Sequence, residues 1–116
     1  MLIEMLQCKV HGLTCTQTDL HYQGSITLDV ALVQQAGWIP GQKVQVVNVN
    51  TGGRLETYLI EAPRHSGVAC LNGPAARMAT VGDILHVIAY LFIEKDAASK
   101  HVPKLVHVDK QNKPTK

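Results

Sequence analysis

The sequence predicts a mainly β fold, a small closed barrel with one or two short helices. Three observations carry this expectation. Half a dozen short β-prone stretches recur along the 116 residues, clusters of Gly, Pro and Asn separate them, and little of the chain has helical periodicity. A chain of this length makes one domain that buries about two-thirds of its unfolded surface. With 46% hydrophobic and 17% charged residues, the composition is that of a globular chain.

Residues 2–16 alternate roughly, placing Lys9 and His11 on one face of a strand and Cys8 and Val10 on the other. The same alternation points Cys8 and Cys15 to opposite faces, so they cannot readily share a metal. With Cys70 they make an odd count without metal-ligand spacing and read as buried, inert thiols. A short strand over 24–28 precedes Asp29, a good N-cap for a helix over 30–36 that Gly37 would end. Pro40-Gly41 turns into a strand over 43–49, and Asn50-Thr51-Gly52-Gly53 makes a hairpin with a strand over 54–62. Pro63 opens a turn before a strand over 68–71. Asn72-Gly73-Pro74 then breaks the strand and starts a helical turn through Ala75-Ala76-Arg77. Val81-Gly82-Asp83 leads into a buried strand over 84–93.

Charge is distributed unevenly. Residues 1–94 carry five Lys/Arg against seven Asp/Glu, whereas 95–116 carry six Lys against two Asp. The basic balance therefore belongs to the end of the chain, which lacks aromatics to stack on bases and reads as a solvated, partly disordered tail. No nucleic-acid partner is expected. No apolar run approaches the roughly 20 residues that span a bilayer as a helix. The opening Met1-Leu2-Ile3-Glu4-Met5 also lacks the basic flank and cleavage site of a signal peptide, so the expectation is a cytoplasmic protein without a membrane partner.

The most informative chemistry lies at Gly24-Ser25 in the run Asp19-Leu20-His21-Tyr22-Gln23-Gly24-Ser25. A serine hydroxyl can attack the carbonyl before it, turning the amide into an ester. Elimination then leaves dehydroalanine, which hydrolyses to a pyruvoyl group. Glycine at position 24 leaves room for a strained peptide and a close nucleophile. The same pair also makes an ordinary turn. Arg54, Glu56, Tyr58 and Ile60 share a strand face, and the Arg54 guanidinium offers a two-pronged grip on a carboxylate or a plain surface ion pair. Lys9 and His11 form a polar face that would equally suit a protected sheet edge.

In order and spacing, several segments together resemble the aspartate 1-decarboxylase family, small pyruvoyl-dependent enzymes that make β-alanine for pantothenate synthesis. The segments are Met5-Leu6-Gln7-Cys8-Lys9-Val10-His11, the run 19–25, Asn48, Thr51-Gly52-Gly53-Arg54, Thr57-Tyr58, Asn72-Gly73-Pro74-Ala75-Ala76 and Val81-Gly82-Asp83. The resemblance covers residues 1 to about 95. It implies a six-stranded double-ψ β-barrel over 1–94 and a homotetramer. Cleavage between Gly24 and Ser25 would give a β chain of 1–24 and an α chain of 25–116. The cofactor would be a covalent pyruvoyl group from Ser25, with no metal and no pyridoxal phosphate, and the ketone would take up L-aspartate as an imine.

By the same resemblance, Thr57 assists maturation, Tyr58 donates a proton to the carbanionic centre, and Arg54 holds a substrate carboxylate with Lys9 and His11 lining the site. Asn72, Gly73, Pro74 and Ala75 surround the processed residue, and Tyr22 falls in the same pocket. Some family members carry an aromatic where this chain has Val47, and simple alternation sends Thr57 and Tyr58 to opposite faces. The competing readings are a pyruvoyl decarboxylase of another amino acid and an uncleaved β-barrel interaction or nucleic-acid-binding module.

Overall fold

The structure is a computed structural model that describes residues 1–115. It is mainly β, with strands β1 (Leu2–Thr14), β2 (Gln17–Asp19), β3 (Ser25–Asp29), β4 (Lys43–Asn48), β5 (Arg54–Ala62), β6 (Ala69–Asn72), β7 (Ile84–Glu94) and β8 (Lys104–His107). Three short helical segments join them: α1 (Val30–Ala36), a 3-10 segment at Gly73–Met78, and α2 (Lys95–Ala98). The strands lie in the order β2-β6-β3-β5-β4-β7-β1-β8, an arrangement consistent with a small β-barrel. Eight strands are present where six were expected; the short β2 and β8 add one at each end of the order.

β1 pairs antiparallel with β7 on one side and parallel with β8 on the other. It is broken by two register shifts, between Leu6 and Cys8 and between Val10 and Leu13. Each shift adds a residue and reverses the facing of the strand positions beyond it. Only the second lies between Cys8 and Cys15, which are therefore both buried in the core, and this corrects the expectation of opposite faces. Simple alternation fails here because a bulge leaves no mark in the hydrophobic pattern.

The first bulge has a structural use. Gln7 Nε2 donates to Ala36 O at 3.1 Å and Gln7 Oε1 accepts from Trp38 Nε1 at 2.8 Å, fastening the end of α1 to the sheet. That helix starts and stops as its sequence dictates. Asp29 accepts from Ala31 N, Gly37 adopts the left-handed conformation at φ 78°, and Leu32, Val33 and Ala36 face the core.

Among the described residues, the chain from 95 to 115 packs back on the sheet, where a partly disordered tail was expected. β8 buries Val106 against β1. Farther on, buried Asn112 accepts from Thr14 N at 2.8 Å and donates Nδ2 to Thr14 O at 2.9 Å and Gly67 O at 2.8 Å. One side chain thus satisfies backbone groups at the end of β1 and in the loop before β6. Six lysines disguise this in the composition, but Lys95, Lys100, Lys104 and Lys110 are exposed on a segment held by Val106 and Asn112.

Candidate active site

Ser25 begins β3, which lies between β5, parallel to it, and β6, antiparallel to it. The ladder with β6 sets Ser25 directly opposite Asn72, and both side chains are buried. Asn72 Nδ2 donates to Ser25 Oγ at 2.9 Å and to Thr27 Oγ1 at 2.8 Å. Ser25 Oγ in turn donates to Gln23 O at 2.8 Å. The other end of the amide, Asn72 Oδ1, accepts from Cys70 Sγ at 3.1 Å. Burial pushes the Cys70 thiol up from its ordinary value, with Cys15 and Asp19 adding to the effect, so it stays protonated and able to donate.

The backbone around this hydroxyl is closely packed. Gly73 sits at φ 66°, and a Cβ there would lie 2.7 Å from Gly24 Cα and 2.8 Å from Gly24 N. Only glycine tolerates both the conformation and the approach. Pro74 covers the other side, its Cδ 3.7 Å from where a Cβ on Gly24 would lie. Gly24, Thr57, Tyr58, Pro74, Ala75 and Met78 line a cavity of about 540 Å³. The β3–β5 ladder starts where Ile26 pairs with Leu59, so Gly24 and Ser25 on one strand and Thr57 and Tyr58 on the other lie at the same end of it. Thr57 and Tyr58 both line this cavity although they alternate along β5, and no register shift intervenes.

Tyr22 lies elsewhere. It lines a neighbouring cavity of about 300 Å³ with Asp19, Thr27, Cys70 and Asn72, not the one that Gly24 lines.

Lys9, His11 and Arg54 do not reach the Gly24 cavity of their own chain; they lie on β1 and β5, two strands whose ladders are linked through β4 and β7. Val47 of β4 pairs with Arg54 on one side and His86 on the other. Arg54 Nη1 donates to Gln45 Oε1 at 2.8 Å, while Glu56 pairs with Lys43 at 2.6 Å, so the guanidinium is not taken up by its strand neighbour. His11 stacks on His86 with ring centroids 3.9 Å apart and 20° between planes, and is tilted against His107 at 5.2 Å. Burial, with Lys9 and His107 nearby, lowers the His11 pKa from its ordinary value; burial, with His11 and Lys9, does the same for His86.

The hairpin that presents Arg54 is anchored by Asn48. Its Oδ1 accepts from Asn50 N and Thr51 N, and its Nδ2 donates to Met78 O and to Asp83 Oδ2 at 2.9 Å. The Asn48 bond and the Thr80 N–H hold the Asp83 carboxyl below the ordinary carboxylate range. Asn48 and Asp83, which the sequence supplies without a stated role, are thus the supports of the turn.

Cys70 and His86 were not foreseen as site residues. Cys70 stands two residues before Asn72 on one strand and so shares its face, a signal that period-two spacing does contain. His86 needs the β4–β7 register, which no local pattern gives. Among the described residues, no group of three or more His, Cys, Asp or Glu is arranged to hold a metal ion, and no helix is long and apolar enough to cross a membrane.

Comparison with known proteins agrees with this geometry. The family model described as aspartate decarboxylase matches residues 1–115. An aspartate 1-decarboxylase of Salinibacter ruber is 51% identical over 116 residues, covering 100% of this chain and 80% of that protein. Those of Caldicellulosiruptor saccharolyticus and Cytophaga hutchinsonii are each 49% identical over 113 residues, covering 97% of this chain and 88% and 98% of theirs. With the family model matching residues 1–115, and relatives near half identity aligned over nearly all of this chain, the chain belongs to the aspartate decarboxylase family.

Proposed function

We propose that this chain decarboxylates L-aspartate to β-alanine and CO2, in the supply of pantothenate, using a pyruvoyl group made from its own Ser25. The observation that carries the reading is the buried Ser25 hydroxyl, fixed by Gln23 O and Asn72 Nδ2 beside a peptide flanked by two glycine backbones. A residue that must attack its own backbone needs a held hydroxyl and an uncrowded carbonyl. The Gln23 and Asn72 bonds supply the held hydroxyl, and glycine at position 24 puts no side chain beside its own carbonyl.

Maturation would proceed by addition of Ser25 Oγ to the Gly24 carbonyl carbon. The Gly24–Ser25 C–N bond breaks as the ester forms, and the proton from the hydroxyl passes to the new amine. Loss of the Ser25 α-proton and the Cβ–Oγ bond frees the Gly24 carboxylate and leaves dehydroalanine. Water then replaces its nitrogen, released as ammonia. Thr57, which lines the cavity with Gly24, would assist the rearrangement.

The pyruvoyl group supplies the electron sink that decarboxylation requires, work that pyridoxal phosphate does elsewhere. Asn72 and the Gly73–Ala75 backbone would hold the processed residue in place. Tyr58, 37% exposed and lining the same cavity, is the proton donor to the carbon that loses CO2. Arg54 would grip a substrate carboxylate, with Lys9 and His11 adding polarity. The separation of these three residues from the Gly24 cavity supports a tetramer in which one subunit's outer sheet face completes its neighbour's site. Tyr22 would then border the site through Asn72 instead of lining the cavity itself. Three free cysteines accord with a reducing cytoplasm.

Intact-mass measurement with an activity assay tests the reading. The expected result is two fragments, residues 1–24 and 25–116, the latter carrying a keto group, together with β-alanine release from aspartate and not from glutamate or neutral amino acids. Active protein with an unbroken chain would overturn it. Equal rates on all amino acids would instead favour a decarboxylase without the Arg54 preference.

A further inference from the structure

The second bulge of β1 makes a contact that the proposed reaction does not use. Gly12, at φ 87°, turns its N–H to His86 Nδ1 at 3.0 Å. A Cβ at position 12 would meet nothing within 4 Å, so glycine is required here by conformation and not by space. The bulge also brings His11 onto β7 at the level of His86, where the two rings stack at 3.9 Å. His86 is in turn paired across the sheet with Val47, which pairs with Arg54.

The geometry points to His86 as a positioning residue: fixed by the Gly12 N–H, its ring is the platform that sets the direction of His11 towards the substrate. This rests on His11 belonging to the substrate site, as in the proposed function. An exposed histidine on a strand otherwise samples several rotamers, and ordering it beforehand removes that cost from substrate binding. The acceptor role also fixes the His86 tautomer. Nδ1 must be unprotonated to receive the Gly12 N–H, so the proton of the neutral ring sits on Nε2.

The charged and titratable groups around the pair come from three strands. Lys9 lies on β1 with His11, His107 approaches from β8, and Arg54 on β5 stands beyond Val47. Burial, Lys9 and His107 disfavour a positive charge on His11, as burial, His11 and Lys9 do on His86, so His11 serves as a neutral donor while Lys9 and Arg54 supply the charge that the two carboxylates of aspartate need.

The test uses the processed full-length protein and two variants. His86→Asn keeps an acceptor near the Nδ1 position but removes the ring; His86→Phe keeps a ring but removes the acceptor. Ring NMR signals of His11 are followed against pH, and KM and kcat for aspartate are measured. In His86→Asn the His11 midpoint should move up towards its ordinary value and KM should rise about tenfold with kcat nearly unchanged. His86→Phe should keep the midpoint low, because a ring still covers His11, but without the tie to Gly12 it should restore the KM only in part. An unmoved His11 midpoint in His86→Asn overturns the proposal, as does a Phe variant indistinguishable from Asn. Should the wild-type protein fail to decarboxylate aspartate, the functional reading falls, while the His11 titration still decides the role of His86.

Discussion

Asn72 Nδ2 donates to Ser25 Oγ at 2.9 Å across a sequence separation of 47 residues. The same nitrogen also bonds Thr27 Oγ1 and the amide oxygen accepts from Cys70 Sγ, so the serine hydroxyl is held by a side chain that is itself fixed at two further points. Removing the hydroxyl should therefore disturb chemistry much more than folding. Ser25→Ala is expected to fold with a stability loss of about 1 kcal/mol, since Asn72 keeps its Thr27 and Cys70 partners. Mass measurement should show one uncut chain and the assay no β-alanine. A cut or active variant would remove Ser25 from the chemistry.

Gly73→Ala addresses the backbone beside it. The added methyl carbon would lie 2.7 Å from Gly24 Cα, on a residue at φ 66°. Left-handed strain costs about 1–2 kcal/mol and overpacking a further 1–3 kcal/mol. Thermal unfolding should show a marked loss of stability, and cleavage at Gly24 should slow because the peptide must shift to make room. Normal stability and normal cleavage would show that the close approach does not matter.

Arg54→Ala should separate binding from maturation. Arg54 is exposed and its bond is to Gln45, which water can replace, so stability should change by no more than about 0.5 kcal/mol. Fragment masses should match those of the unaltered protein while KM for aspartate rises at least about tenfold, the scale of a lost charge-assisted bond. Unchanged kinetics would end its carboxylate role.

Tyr58→Phe removes one oxygen from the wall of the Gly24 cavity. Cleavage is expected to proceed, but kcat should fall by about 100-fold or more, the usual contribution of a positioned acid. A mature variant with full kcat would assign the proton to another group.

Asp29 links acid stability to the helix start. Its Oδ1 accepts from Ala31 N and His65 N, and its Oδ2 from Gly67 N at 3.0 Å. Burial opposes ionisation, but these three N–H groups outweigh it and hold the carboxyl below its ordinary value of 3.8. A depressed carboxylate stabilises the fold above its unfolded pKa, and that contribution disappears as pH falls through the folded value. Urea midpoints should therefore decline below about pH 4 in the wild type. In Asp29→Asn the decline should be shallower from a lower plateau, because an amide NH2 would face the Gly67 N–H. Parallel pH profiles for the two proteins would show that Asp29 does not contribute.

Much of the fold was legible locally. Asp29 and Gly37 bracket α1 at Val30–Ala36, and the 50–53 turn introduces β5 at Arg54–Ala62 as its residues demand. The hidden parts depend on non-local pairing. β2 has three residues and acquires strand geometry only from β6, and β8 gains it from β1. The second bulge of β1, which buries both Cys8 and Cys15 and brings His11 to His86, is marked only by Gly12, and period-two alternation does not register it. The candidate site divided in the same way. Ser25, Asn72, Thr57 and Tyr58 converge because β3 pairs with both β5 and β6. Tyr22 falls into the neighbouring cavity, and Arg54, Lys9 and His11 project from a face that one chain alone does not bring to it.

The two-sided pairing of β1 has a consequence for a severed protein. A break after Gly24 would leave the whole of β1 and β2 on the smaller piece, gripped by β7, β8 and β6. That piece could escape only by peeling from three strands together, so scission would barely loosen the native molecule. Once denatured, however, the halves would have to find each other by diffusion. Renaturation of mature enzyme should become second order and dilution-sensitive, whereas the uncut precursor should regain its shape at a rate independent of concentration.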